Sequence, residues 1–210
     1  MIRNIIFDMG NVLIYFDRNA FIDRLGITDA ADKDILKREV FLSLEWARMD
    51  RGSLTDMEAA EIMCSRVPER LHDAVYKLAT MWDRPILEGP GIYELVKELK
   101  ENGYGIYLLS NASTRQHEYW GRIPASRFFD GTLISADVKL VKPETAIYEL
   151  LMERFSLKKE ECFFIDDSAL NVEGAFYCGI NGAVFHNDAV ELRQRLRAAG
   201  VNVSLLSSPD

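Results

Sequence analysis

Four short apolar runs, at residues 4–7, 105–109, 162–165 and 183–185, limit what this chain of 210 residues can fold into. They are rich in β-branched and aromatic residues and too short for helices, and the later ones are separated by segments of helical period. In GPGIYELVKELKENG the residues Ile92, Leu95, Val96 and Leu99 recur at spacings of three and four, Pro90 suits a first turn, and Gly103 suits a C-terminal cap. PETAIYELLMERF repeats the pattern through Ile147, Leu150, Leu151 and Phe155, and SALNVEGAFYCG does so more weakly before Gly179. Strands alternating with helices predict βαβ units, and so an α/β fold: a doubly wound parallel sheet covered on both faces.

Residues 17–84 break that alternation. FDRNAFIDRLGI, DAADKDILKREVFLSLEWARM and SLTDMEAAEIMCSRV each read as an amphipathic helix, with breaks at Gly26, Gly52 and Pro68, and none of this stretch reads as a strand. Inserted after the first strand, it is expected to form an all-helical cap, residues 17–84, over a Rossmann-like core of residues 1–16 and 85–210.

The net charge of −8 and pI near 5.0 come without any block of five or six like charges, so nothing here attracts nucleic acid or an anionic membrane. A bound anion must be held by local groups. No apolar stretch approaches the roughly 18 residues of a spanning helix. The N-terminus lacks a signal peptide's basic region, long apolar run and cleavage site, so the expected address is cytoplasmic. Cys64, Cys162 and Cys178 are odd in number and have no C-x-x-C spacing, which reads as three reduced core residues.

In an open parallel sheet, ligands bind beyond the carboxyl ends of the strands. The first run is followed by Asp8-Met9-Gly10-Asn11, the second by Ser110-Asn111 and the third by Asp166-Asp167-Ser168, while Lys142 precedes a helix that Pro143 helps to start. Asp8, Asp166 and Asp167 would repel one another without a cation. With no His or Cys nearby, oxygen-only ligation points to Mg²⁺. Lys142 and Ser110 then offer a positive charge and a hydroxyl to phosphoryl oxygens, helped by backbone N–H groups at a helix start after Asn111. One carboxylate is left to attack, and Asp8, alone on its strand beside Gly10 and Asn11, is the candidate nucleophile.

FDMGNVL (residues 7–13), LLSN (108–111), VKPETAIYELL (141–151) and FFIDDSALNVEGA (163–175) together resemble the motifs of the haloacid dehalogenase-like hydrolase superfamily, in its order and spacing. The closest likeness is to the subfamily whose helical cap follows the first strand. The resemblance implies Asp8 as nucleophile, Ser110 and Lys142 as phosphate binders, and Mg²⁺ held by Asp8, the carbonyl of Gly10 and Asp167, with Asp166 in support. It also implies a small phosphorylated metabolite, often a sugar phosphate, as substrate.

One position departs from that pattern. Family phosphatases usually carry a second aspartate two residues after the nucleophile, as general acid and base, and here that residue is Gly10. Its loss should slow turnover by roughly 10² to 10⁴ without abolishing phosphoryl transfer. The alternative is a protein that binds a phosphorylated ligand with weak or no turnover. A 2-haloacid dehalogenase would typically have tyrosine in place of Gly10, and the acidic pair disfavours it. A signalling receiver domain has the opposite order, with its acidic pair on the first strand.

Asp17 could replace the missing acid or could cap the helix starting near Arg18, and the second reading is favoured. Trp46, in the turn of the cap with Arg48 and Arg51, could select substrate or pack a helix. Asn111 is a candidate substrate-binding residue, and Asn171, four residues after Asp167, could orient a ligand carboxylate. Arg115 and His117 read as surface residues.

Overall fold

In the computed structural model, which describes residues 1–205, five parallel strands form one sheet in the order β3-β2-β1-β4-β5. They are β1 (Asn4–Phe7), β2 (Gly105–Ser110), β3 (Gly131–Ile134), β4 (Cys162–Asp166) and β5 (Asn181–Val184). The chain winds outward from β1 to β2 and β3, then resumes on its other side with β4 and β5, which is the doubly wound α/β topology expected. Phe7 pairs with Leu108 on one side and Ile165 on the other. What leaves β1, β2 and β4 therefore emerges at one sheet edge, beside the point where strand order reverses.

Two strands differ from the sequence reading. The apolar runs omit β3, because GTLI is four residues long, opens on glycine and buries only Leu133 and Ile134. Its pairing with β2, from Tyr107↔Gly131 to Ser110↔Ile134, makes it a strand, and no local pattern contains that contact. β5 begins at Asn181 rather than residue 183, across a glycine packed so tightly that a Cβ at Gly182 would lie 2.5 Å from the carbonyl oxygen of Phe164.

Between β1 and β2 the chain forms α1 (Arg18–Asp23), α2 (Ala30–Leu36), α3 (Leu44–Asp50), α4 (Asp56–Cys64), α5 (His72–Met81) and α6 (Ile92–Glu101). The first five share an apolar core of their own, around Ile22, Leu36, Val40, Met63, Val75 and Leu78. The single helix expected across residues 29–49 is broken. α2 runs on through a π turn, Lys37–Phe41, and ends, and the side chain of Ser43 accepts from the N–H of Trp46 at 3.1 Å to start α3 in a new direction. An apolar stripe does not reveal that break, because serine is tolerated within a helix and favoured at its N-cap.

After β2 come α7 (Gln116–Tyr119), α8 (Ser135–Val138), α9 (Thr145–Arg154), α10 (Ala169–Tyr177) and α11 (Ala189–Ala198). The two-residue period of β1 divides the core. Ile5 and Phe7 pack with Leu95 and Val96 of α6 and Leu192 of α11, whereas Ile6 packs with Ile147 and Leu151 of α9 and Val172 of α10.

The helical segment is clamped to the sheet edge by three successive residues. Ser135 Oγ donates to the carbonyl of Asp50 at 2.5 Å, Arg51 pairs with Glu144 and donates to the carbonyl of Lys139 at 3.3 Å, and Gly52 lies against the backbone of Ala136. A Cβ at Gly52 would stand 2.2 Å from the Ala136 carbonyl oxygen, and its φ of 71° already disfavours any side chain. Gly52→Ala should therefore lower the stability of the protein by about 1–3 kcal/mol. Equilibrium denaturation measures it, and an unchanged midpoint would contradict this close approach.

Candidate active site

Asp8 follows β1 directly, its amide donating to the carbonyl of Ile165 at 2.8 Å. Asp8 Oδ1 accepts from Lys142 Nζ at 2.6 Å, and the same ammonium donates to Asp166 Oδ2 at 2.6 Å and to the carbonyl of Leu109 at 2.9 Å. All three of its protons are thus engaged, and its side chain is 1% exposed. Burial pushes the Asp8 carboxyl up to about 7, against the attraction of Lys142 and with the repulsion of Asp166 and Asp167. Burial alone would lower the pKa of Lys142, but Asp8 and Asp166 outweigh it and hold that pKa above its ordinary value. One buried cation therefore serves two buried carboxylates, with a third beside them.

That third is Asp167. Carboxylate oxygens of Asp8, Asp166 and Asp167 lie within 4.8 Å of one another, an oxygen-only set that suits a hard divalent cation. Their availability differs. Asp166 Oδ1 accepts from Ser168 N at 2.8 Å and Asn171 Nδ2 at 3.0 Å, and its Oδ2 from Lys142 and, at 3.1 Å, from Asn171. Its oxygens are occupied by protein donors, which suits a supporting role better than ligation. Asp167 is more open: its Oδ2 accepts from Asn11 Nδ2 at 2.9 Å, while burial raises its pKa against that hydrogen bond. Asn11, in the left-handed region at φ 54°, also accepts from Phe16 N at 3.0 Å, so it ties the turn after β1 to the end of β4.

Ser110 Oγ is buried and has no hydrogen-bond partner among the described residues, so its donor is uncommitted, although Ser110 itself does not line the cavity that opens on Asp8. The side chain of Asn111 is differently engaged. It donates to the carbonyl of Lys142 at 3.0 Å and accepts from Lys142 N at 2.8 Å, so it holds the lysine's loop. No helix starts directly after Asn111. The N–H of Ala112 donates to Ser135 Oγ at 2.9 Å and α7 begins only at Gln116, so one N–H of the anticipated row is committed to the protein.

A cavity of about 210 Å³ opens on this cluster. Asp8, Gly10, Asn11, Lys142, Asp167 and Asn171 line it from the sheet edge, and Phe16, Trp46, Met49, Asp50, Ala79 and Trp82 from the helical segment, with Tyr119 at its side. Residues 2–179 match the profile of the haloacid dehalogenase-like hydrolases. The chain belongs to that family.

Among relatives of this chain, drimenol cyclase drtB of Aspergillus calidoustus is 26% identical over 198 residues, covering 92% of this chain and 36% of that protein. A phosphorylated carbohydrates phosphatase of Thermotoga maritima is 28% identical over 127 residues, covering 59% of this chain and 57% of that one. The chain thus spans less than two thirds of the length of either. A HAD family enzyme of Bacteroides thetaiotaomicron, solved with magnesium and inorganic phosphate, superposes with a TM-score of 0.69 at 24% identity, over 91% of this chain and 99% of that one.

The remaining candidate residues separate. Trp46 is half-buried and lines the cavity. Asp17 Oδ1 accepts from Asn19 N at 2.8 Å and Ala20 N at 3.2 Å, so it caps α1 and does not line the cavity around Asp8. Arg115 is not a surface residue: its side chain is 10% exposed and bonds Asp83, itself fully buried, at 2.9 Å, with Arg122 on the other oxygen. His117 is exposed and meets Asp137 at 3.0 Å. Sequence reasoning passed over Asn11 as a ligand-orienting side chain, and Asp50, Phe16 and Trp82 as cavity residues. The stretch around Trp46 held the only signal for Asp50, since a helix ending on Asp-Arg-Gly leaves its last acid beside a turn.

Proposed function

We propose that this hydrolase cleaves a small phosphorylated metabolite, sugar phosphates among the candidates, by Mg²⁺-dependent phosphoryl transfer to Asp8. The observation that carries this reading is the Asp8–Lys142–Asp166 bridge at the floor of the cavity, with Asp167 beside it. It aims one carboxylate at an incoming phosphorus atom and keeps a positive charge next to that atom. Asp8 attacks phosphorus, Lys142 offsets charge on the phosphoryl oxygens, Ser110 donates a hydrogen bond to one of them, and water then releases phosphate from the aspartyl-phosphate. Asp8, Asp167 and the carbonyl of Gly10 would hold Mg²⁺, whose chemistry there is neutralisation of the transferring group. The named activity of the Thermotoga relative and the ions in the Bacteroides structure support the reading.

Phosphate release from p-nitrophenyl phosphate and a sugar-phosphate panel tests it. Turnover should require Mg²⁺, vanish with chelator and return on re-addition of metal. Binding of panel members without turnover would favour a ligand-binding protein, and metal-independent release of halide from a 2-haloacid would favour a dehalogenase.

Stability gives a second check. Asp8 and Asp167 have raised pKa values in the fold, so the folded protein keeps protons that the unfolded chain has lost. Metal-free stability should fall as pH rises from 3.8 through about 7. Mg²⁺ binds the carboxylates, so its increment in Tm should be larger at pH 8 than at pH 5. Equal increments at the two pH values would count against ligation by these acids.

A further inference from the structure

Position 10 has no acid, yet a carboxyl does reach the cavity from its other wall. We propose that Asp50, the last residue of α3, is the general acid and base of the reaction that begins on Asp8. This rests on the phosphatase reading and supplies the proton donor which that reading lacks.

Position is the first support. Asp50 lines the cavity that Asp8, Lys142 and Asp167 line from the sheet edge, and no further carboxylate lines it. A phosphate monoester held at Asp8 directs its leaving oxygen away from the nucleophile, toward the helical wall, which is where Asp50 stands.

The second support is how the residue is held. The clamp onto the sheet edge uses the main-chain carbonyl of Asp50, the guanidinium of Arg51 and the close approach of Gly52. It therefore fixes the backbone of Asp50 and leaves its carboxyl uncommitted. Among the described residues, no hydrogen bond or ion pair reaches that carboxyl, whereas Asp8, Asp83, Asp166 and Asp167 each accept from a donor. Glu144, which pairs with Arg51, also accepts from Val141 N at 3.2 Å, so the clamp runs into the loop that carries Lys142. Donor and nucleophile are thereby set against one frame.

Electrostatics agree with the geometry. The groups facing Asp50 are Asp56 of α4, Asp8 and Lys142 from the sheet edge, and the buried hydroxyl of Tyr119 from α7. Burial, then repulsion by Asp56 and Asp8, hold the Asp50 carboxyl well above the ordinary range, with only Lys142 opposing. A carboxyl kept protonated opposite an ionisable one is the division of labour that acid–base catalysis by two acids requires.

The steps balance. Asp8 Oδ forms a bond to phosphorus as the bond from phosphorus to the leaving oxygen breaks, and that oxygen takes the proton of Asp50. Asp50, now a carboxylate, removes a proton from water as the water oxygen bonds phosphorus and the bond to Asp8 breaks. Phosphate departs, and Asp50 is protonated again.

Asp50→Asn keeps the shape and removes the proton. Turnover of alkyl and sugar phosphates should fall by roughly 10² to 10⁴. With p-nitrophenyl phosphate, whose leaving group needs no proton, the variant should give a burst of one equivalent followed by slow turnover as the aspartyl-phosphate waits for its base. The fall in kcat/KM with rising pH expected for alkyl phosphates in the parent protein should disappear. A Cβ at Gly10 meets nothing within 4 Å, so Gly10→Asp added to Asp50→Asn has room to supply an acid at the family's usual place and should restore about tenfold or more of the lost rate. A Tm for Asp50→Asn no lower than the parent's confirms that the loss is chemical.

Alkyl-phosphate turnover within about threefold of the parent protein in Asp50→Asn would overturn the proposal. So would an equal loss on both substrate types with no burst. Asp8→Asn is the control: turnover surviving there ends the phosphatase reading itself, whereas turnover lost there but kept in Asp50→Asn ends only the role of Asp50.

Discussion

Asp8→Asn should abolish turnover of every phosphorylated substrate, by about 10⁴-fold or more, while leaving the metal-free protein at least as stable as its parent. The two effects have one cause. The amide preserves the volume and an acceptor for Lys142, which donates to Asp8 at 2.6 Å, but it has no oxygen basic enough to bond phosphorus. It also removes a charge whose burial pushes the Asp8 pKa up to about 7, so the fold loses a destabilising ionisation above that pH. The Tm increment from Mg²⁺ should shrink in the same variant, because one of its ligands has lost its charge. Activity assays and thermal denaturation at pH 8, with and without Mg²⁺, check all three. A variant that is inactive because it is unfolded would contradict the account, as would one that retains turnover.

Lys142→Met should have the largest effect on stability. Among the described residues the ammonium is the sole cation bonded to the carboxylates of Asp8 and Asp166, which are 8% and 0% exposed. Removing it leaves two buried acids unpaired, and breaking a buried pair from one side costs about 3–5 kcal/mol. For a chain of this size that corresponds to a fall in Tm on the order of 10 °C at pH 8 without metal. Loss of the Lys142 attraction raises the Asp8 pKa further, so the deficit should narrow as pH falls toward about 7, where Asp8 takes up its proton in parent and variant alike. Lys142→Arg should not rescue, because the planar guanidinium cannot direct three donors from one atom to Asp8, Asp166 and the carbonyl of Leu109, all within 2.9 Å of Nζ. Metal-free Lys142→Met with the parent's Tm at pH 8 would show that the bridge contributes nothing.

Much of this was legible in the chain itself. Continuous apolar runs ending in Asp8, Ser110 and Asp166 state both the strand and where it stops, since a strand buried on both faces leaves the sheet where its polar residues begin. Parallel order then follows from the intervening helices, and the shared edge from the parallel order. The helical character of residues 17–84 was legible for a similar reason, as three-four spacing survives without knowledge of partners. β3 was not, because GTLI owes its strand to β2. Nor was the break at Ser43, whose capping role depends on where the chain must turn.

Residue order alone contains the inventory of the site: three carboxylates, a lysine and a hydroxyl at the ends of strands, and a glycine where an acid is usual. Local pattern suffices for that, because strand ends and residue types are properties of short segments. How that inventory is divided depends on contacts between separate elements. The tertiary structure committed Asp166 to protein donors while leaving Asp167 open, turned Asn111 toward the loop of Lys142, and made Asp17 a helix cap. It also brought Asp50 from a distant helix to face Asp8. These assignments depend on which atoms lie within hydrogen-bonding reach across separate elements, and distance in space is the one quantity that spacing along a chain does not contain.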